Sequence, residues 1–188
     1  ELYQLGKTLV SAAEICDYFT EEKSAAYPLL KQIADSLLCF PEISRHIDSI
    51  LDKFGNIKDN ASPELQQLRR KLLSVNGMMQ RVISRYKQNG MLDKDCTPSI
   101  RDGRLVIPVA PMHKRAVKGI VHDESATGKT FFIEPEEIVE ANNQIRELEA
   151  DIHKEIVRIL IMTADIIRPH LDDLTVFYQT IGVFDFIR

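Results

Sequence analysis

The 188-residue sequence has few cysteines, no long apolar run and no excess of basic residues. Its three cysteines, Cys16, Cys39 and Cys96, lie far apart in the sequence and form no CxxC pair, which argues against a zinc site. We therefore predict isolated, reduced thiols, as in a cytoplasmic protein. No segment approaches the roughly 18 apolar residues of a membrane span, and no secretory signal opens the chain. The sequence thus predicts a cytoplasmic location and no membrane partner.

The composition is that of a globular protein, with 44% hydrophobic and 28% charged residues. The net charge of -4 argues against a uniformly basic nucleic-acid binder but leaves room for a local basic patch. The chain begins inside a helical pattern at Glu1 and without Met, from which we expect a fragment of a longer protein.

Helical periodicity dominates both ends of the sequence. Apolar residues at helical spacing predict three helices over about residues 1 to 52, and Ser62-Pro63-Glu64 is typical of a helix start. Apolar residues then recur at alternating spacings of three and four positions, which predicts a coiled-coil seam formed by Leu65, Leu68, Leu72, Val75, Met79, Val82 and Tyr86. A second long helix is predicted after Pro135, with a break at Pro169.

Between the two long helices the apolar period changes from that of a helix to that of a strand. Segments 99–101 and 104–109 flank Asp102-Gly103, a dipeptide typical of a tight hairpin turn. Two further strands are predicted at 119–122 and 130–133. Because this β unit lies between the helices in sequence, the helices can pack antiparallel only if it lies at their tip.

The predicted fold is therefore mainly α: a long-helix lever with an antiparallel two-helix coiled-coil arm that is capped by a small antiparallel β unit. We expect the first part of the lever at residues 1–60. The arm, or clamp, is expected at 61–168 with its β tip at about 97–134, and the return part of the lever at 169–188.

The residues form no recognisable catalytic pattern. Gly128-Lys129-Thr130 ends like a phosphate-binding loop, but Asp123 replaces the glycine needed five positions earlier and a strand-like segment follows. The five histidines lack metal-ligand spacing, and Ser125 lacks the context of a nucleophile. We predict no catalytic residue, cofactor or metal within this chain.

The local exception to the acidic composition is the β unit. Residues 99 to 130 include six basic residues but only three acidic ones, Asp102, Asp123 and Glu124. Such a bias predicts sequence-tolerant contacts to nucleic-acid phosphates, although basic residues on a small exposed sheet can also serve solubility alone. The candidate nucleic-acid-binding residues are Arg101, Arg104, Lys114, Arg115, Lys118 and Lys129.

Several co-linear segments resemble the MutS-two family of MutS-like ATPases. The segment from Gly119 to Pro135 resembles that family's GIVHDxSxxGxTxFIEP stretch, and residues 101–109 resemble RDGRYVIPV. Residues 142–149 resemble NNxxRELE, and residues 59–65 resemble D-x-A-S-P-E-L. Together the matches extend over roughly residues 54 to 160.

This resemblance implies a helical lever with an inserted clamp, from the amino-terminal part of a protein that continues into a dimerising ATPase domain. The parent protein is then expected to bind ATP and Mg, to form a homodimer and, in most members, to end in a Smr endonuclease domain. Members are linked to branched DNA in recombination, and some to ribosomes. Neither ATPase motifs nor nuclease residues occur in this sequence.

Two functional hypotheses remain open from the sequence. The first is a non-catalytic lever and clamp that contacts branched DNA through its phosphate backbone. The alternative is a structural, oligomerisation or ribosome-docking module whose coiled-coil arm binds protein or rRNA.

Overall fold

A computed structural model describes residues 1–92 and 97–187. Cys96, one of the three thiols predicted to be isolated, lies outside these residues. The chain divides into two compact units, one formed by Glu1–Pro63 with Ile156–Arg188 and the other by Glu64–Glu155. We call them the helical unit and the clamp unit, the second name being that of the region predicted from the sequence.

The helical unit begins with four helices: α1 (Leu2–Tyr18), α2 (Glu21–Ala26), α3 (Pro28–Asp35) and α4 (Pro41–Ile50). The sequence pattern predicted three helices in this region. The extra break arises where Tyr27 precedes Pro28, because a residue before proline is disfavoured in the helical conformation. Pro41 opens α4 at its first turn, as predicted.

The helical unit is completed by α6 (Glu136–Ile167) from Ile156 onward and by α7 (Leu171–Ile187). A short 3-10 turn, Arg168–His170, separates the two helices at Pro169, where a break was predicted. The sequence pattern assigned residues 156–168 to the arm. The structure groups residues from Ile156 onward with the helical unit, where the Thr163 hydroxyl lies 3.0 Å from His46 Nε2.

The core of the helical unit lies between the apolar stripe of α4 and α1. Ile43, Ile47 and Ile50 are buried, as are Leu9 and Ala12 of α1. From α7, Phe177 is also buried and meets the Phe40 ring edge-on.

The clamp unit is built on the pairing of α5 (Pro63–Gln88) with the first half of α6. Val75 and Met79 of the predicted seam pack with Ile138, Ala141 and Leu148. Arg85 near the end of α5 forms an ion pair with Glu137 at the start of α6. The helices are therefore antiparallel, as predicted, whereas supercoiling remains a prediction.

One detail of the seam differs from the prediction. Ile83, which is outside the predicted seam, is buried, whereas Val82 is only partly buried. Ile83 is the more deeply buried of the two because the sheet packs against this end of α5.

The sheet of the clamp unit has four antiparallel neighbours in the order β1-β2-β4-β3. Its strands are β1 (Ser99–Arg101), β2 (Arg104–Val109), β3 (Gly119–Glu124) and β4 (Phe131–Pro135). Asp102 (φ 49°) and Gly103 (φ 73°) form the predicted turn between β1 and β2. The mainly α fold with a small antiparallel β unit is thereby confirmed.

One face of the sheet completes the core of the clamp unit. Ile107, Val109 and Ile133 cluster with Ile83 of α5 and with Val117, all of them buried. Within the described residues, no helix is both long enough and apolar enough to cross a membrane.

Candidate nucleic-acid interface

The exposed basic residues of the clamp unit are concentrated in the connection between β2 and β3. Both strands pair antiparallel with β4, so they run parallel to each other and segment 110–118 must cross over the sheet. Val117 anchors this segment because its side chain, 4% exposed, packs into the cluster beneath. Lys114, Arg115 and Lys118 are exposed in the same segment, which contains no acidic residue. We call these three residues the basic crossover.

Two of the predicted cations lie against neighbouring aromatic residues of β4. The Lys114 ammonium lies 3.7 Å from the centre of the Phe131 ring, and the Arg101 guanidinium lies 4.5 Å from that of Phe132. Consecutive side chains of a strand point to opposite faces. Arg101 therefore lies against the face opposite to Lys114, and the six predicted cations do not share one surface.

The two remaining exposed candidates differ in their surroundings. Arg101 Nε lies 3.8 Å from Asp123 Oδ2, an exposed ion pair that partly offsets its charge. Lys129 is exposed in the loop between β3 and β4, two residues before Phe131. Among the residues the structure describes, no ion pair involves Arg115, Lys118 or Lys129.

Arg104, the sixth predicted residue, is engaged inside the clamp unit. Its Nη1 donates to Glu134 Oε1 at 2.7 Å and its Nη2 donates to Asn143 Oδ1 at 2.7 Å. Its side chain is only 22% exposed. Glu134 offsets its charge and most of its side chain is buried, so Arg104 is not part of the candidate surface.

Glu134 is the centre of a buried polar network that the sequence pattern did not reveal. Glu136 and Glu137 lie at the start of α6, but Glu134 belongs to β4 and its side chain is 0% exposed. It accepts hydrogen bonds from Arg104, from His122 Nε2 at 2.6 Å and from Asn142 Nδ2 at 2.8 Å. Strand alternation sets Glu134 on the face opposite to the core residue Ile133. That position would predict an exposed side chain, so the sequence carried no signal for the buried network.

The network determines the charge state of Glu134. Burial raises the pKa of this carboxyl, but the hydrogen bonds from Asn142, His122 and Arg104 and the charge of Arg104 outweigh burial and leave the pKa below its ordinary value of 4.5. The carboxylate is thus ionised at neutral pH. It acts as an internal counterion to Arg104.

Asn142 and Asn143, which could have reached a base edge, instead support the sheet. Asn142 is 3% exposed, and its side chain both accepts from Leu105 N and donates to Leu105 O. Asn143 accepts from Arg104. Both amides therefore position β2 against α6.

The loop that resembles the end of a phosphate-binding motif is a hairpin connection. Ser125 N donates to Thr130 O, Ser125 Oγ accepts from Thr130 N, and Gly128 N donates to Ser125 O. These amides are used within the loop, and the strand β4 follows where a phosphate-binding motif has a helix.

The described part of the clamp unit therefore presents exposed cations on a segment that Val117 anchors in the core. Lys114, Arg115 and Lys118 lie within five residues of sequence, and Lys129 is a further exposed cation in the loop between β3 and β4. Cations at such density attract a polyanion through release of its counterions. Sequence-specific readout would need side chains that reach base edges.

No family model matches the chain. It is 35% identical over 190 residues to an Endonuclease MutS2 of Pelotomaculum thermopropionicum, of which it covers 24%. It is 34% identical over 193 residues to an Endonuclease MutS2 of Halalkalibacterium halodurans and 32% over 191 residues to that of Lacticaseibacillus casei. Each match covers 100% of this chain.

The chain spans about a quarter of the length of the curated relatives it matches. The similarity extends beyond residues 54 to 160, where the motifs lie, to the flanking helices. The resemblance predicted from the motifs is therefore confirmed: the chain is similar along its whole length to one segment of the MutS2 endonucleases.

Proposed function

We propose that the clamp unit is a non-catalytic module that contacts the phosphate backbone of DNA without sequence preference, as part of a larger MutS2-like protein. The observation that best supports this proposal is the basic crossover, three exposed cations within five residues on a segment anchored by Val117. Similarity to proteins named as endonucleases supports DNA as the polyanion. Branched DNA is the finer part of the proposal and follows from the motif resemblance alone.

The surface favours backbone contacts over base reading. Lysine and arginine bind phosphates without regard to sequence, and the two asparagines that could read a base edge hold the sheet instead. We therefore expect similar affinity for unrelated sequences of the same DNA shape.

We place the chemistry of the whole protein outside these residues. ATP and Mg binding, the dimer and any nuclease activity belong, in this proposal, to the other three quarters of a MutS2-like chain. The hairpin geometry of Gly128-Lys129-Thr130 supports this assignment, because its amides bond within the loop.

Charge reversal of the basic crossover tests the proposal. In the full-length protein, K114E/R115E/K118E is expected to weaken binding to linear duplex and four-way-junction DNA at least tenfold. The salt dependence should also become shallower, by about 0.9 in the log–log slope for each phosphate that the variant no longer binds. Fluorescence anisotropy across a salt series measures both quantities.

The matched control reverses the same number of charges on an exposed face of α5, with R70E/K71E/R81E. This variant has the same net charge but keeps the crossover, and it should retain most of the affinity and the original slope. If the two triple variants bind alike, overall charge and not the crossover determines binding, and the proposal fails.

The alternative function is that of a docking or oligomerisation module. The observation that favours it concerns α7 and not the predicted coiled-coil arm. In the helical unit, α7 buries Leu174 and Phe177 but leaves Leu171, Val176 and Val183 about half exposed. A helix that is apolar on all sides is normally covered by other protein. This observation favours α7 as a surface that binds protein, whereas the sequence pattern had favoured the arm as the surface for protein or rRNA.

Light scattering tests this alternative. If α7 mediates self-association, the apparent mass of the purified chain rises with concentration, and L171E/V176E restores a monomer. The charge-reversed crossover variant should leave the mass unchanged. A monomer at all concentrations would exclude self-association through α7.

A further inference from the structure

Two of the three cysteines meet in the helical unit, which corrects the prediction of isolated thiols. Cys16 belongs to α1 and Cys39 to the segment between α3 and α4, 23 positions later. Their sulfur atoms lie 3.8 Å apart. The chain closes this separation because α3 packs against α1.

The geometry allows the two sulfur atoms to bond without unfolding the unit. A disulfide needs a sulfur–sulfur distance of about 2.05 Å, so the atoms must approach by less than about 2 Å. Cys39 and the preceding Leu38 lie between α3 and α4, and among the described residues neither makes a backbone hydrogen bond, whereas Ser36, Leu37 and Phe40 do. That segment can adjust while α1 stays in place.

The two thiols differ in access. Cys39 is exposed, whereas Cys16 is partly buried, with its sulfur 3.9 Å from the carbonyl oxygen of Ala34. Burial, together with the hydrogen bond and the charge of Cys39, raises the pKa of Cys16 to about 11. A solvent-borne oxidant therefore meets Cys39 first, with Cys16 as a nearby second thiol.

We propose that Cys16 and Cys39 form a reversible disulfide that ties α1 to the segment between α3 and α4. Cys39 is the residue first modified, and Cys16 resolves the modification. The oxidant is a small-molecule disulfide such as oxidised glutathione.

The exchange proceeds in two balanced steps. The Cys39 thiolate attacks one sulfur of the small disulfide, which forms a mixed disulfide and expels one small thiolate. The Cys16 sulfur then attacks the Cys39 sulfur as its proton leaves, which forms the Cys16–Cys39 bond and expels the second small thiolate. The two expelled thiolates take up the two protons from the protein thiols.

Mass spectrometry of the non-reduced protein tests this proposal directly. Trypsin separates the three cysteines into peptides 8–23, 32–45 and 95–101. After incubation of the full-length protein with oxidised glutathione, peptides 8–23 and 32–45 are expected to be joined, and dithiothreitol should release them. The C96S variant should give the same linkage.

Single substitutions identify the order of events. C16S is expected to stop at a glutathione adduct on Cys39, because the resolving thiol is missing. C39S should react at Cys16 at least tenfold more slowly than the unchanged protein reacts at Cys39. A stable adduct on Cys39 while Cys16 is present, or a linkage between two molecules instead, would overturn the proposal.

Thermal melting supplies an independent readout. Closing the loop between positions 16 and 39 restricts the unfolded chain, so the oxidised C96S protein should melt about 5–10 °C above its reduced form. C16S/C96S, treated in the same way, should show no such rise. If the cross-linked protein melts at the same or a lower temperature, the disulfide does not fit the folded helical unit, and the proposal is contradicted.

Discussion

Gly119→Ala is expected to destabilise the clamp unit by about 3 kcal/mol, because the strand β4 leaves no room for a side chain at this position. A Cβ added at Gly119 would lie 2.1 Å from the backbone oxygen of Glu134 and 2.9 Å from Pro135 Cα. The nearest atoms belong to the backbone, so no rotamer change relieves the clash. The two strands must separate at the Gly119–Pro135 pair.

A thermal or urea unfolding curve measures this effect. Loss of about 3 kcal/mol corresponds to a fall of about 6–12 °C in melting temperature for a chain of this size. Because Gly119 directly follows the basic crossover, DNA binding should weaken together with the fold of β3.

Gly77→Ala is the matched control for that prediction. Gly77 lies in α5, and an added Cβ would meet no atom within 4 Å among the described residues. Alanine at an exposed helical position should stabilise the protein by about 0.5–1 kcal/mol. The two Gly→Ala changes are thus expected to shift stability in opposite directions, and equal shifts would refute the close approach of β3 and β4.

Glu134→Gln is expected to cost about 2–4 kcal/mol, although it preserves the size of the side chain. The carboxylate accepts from three donors, belonging to Arg104, His122 and Asn142. A glutamine amide replaces one acceptor oxygen by a donor, which then faces another donor. It also leaves the partly buried charge of Arg104 without its counterion.

The same carboxylate predicts a pH dependence with a definite sign. The pKa of Glu134 is lower in the folded protein than its ordinary value of 4.5, so the unfolded chain binds the proton more readily. Stability from this group is complete above pH 4.5 and declines as the pH falls from there through the folded pKa. Glu134→Gln should remove this part of the acid sensitivity.

Glu137→Gln provides the control at an exposed ion pair. Glu137 is 47% exposed and pairs with Arg85 at the surface, where such pairs contribute about 0–1 kcal/mol. If both Glu→Gln variants unfold at the same urea concentration, the buried network does not stabilise the clamp unit in the way we infer.

Much of the local structure could be predicted from the sequence because it depends on near neighbours. Asp102-Gly103 adopts the positive φ angles that a tight turn requires, Pro41 opens a helix and Pro169 interrupts one. The apolar stripe of α5 likewise identified most of the residues that pack on α6. In each case the decisive interaction lies within a turn or two of the chain.

The candidate site was only partly predictable, because charge counting ignores where each cation lies in the sheet. Arg104 and Lys114 both look like surface cations in the sequence. Arg104 meets Glu134, 30 positions away, whereas Lys114 lies exposed on a crossover. Register and strand direction decide this difference, and neither is determined by a single segment.

By itself, the sequence determined the helices, the hairpin, the antiparallel helix pair and the similarity to MutS2 proteins, since these follow from periodicity, turn residues and motifs. Only the tertiary structure decided which acid is buried, which arginine it neutralises and which two thiols meet. Those outcomes depend on contacts between residues 23 and 30 positions apart. Such contacts form only when the chain folds back on itself, and no local pattern encodes them.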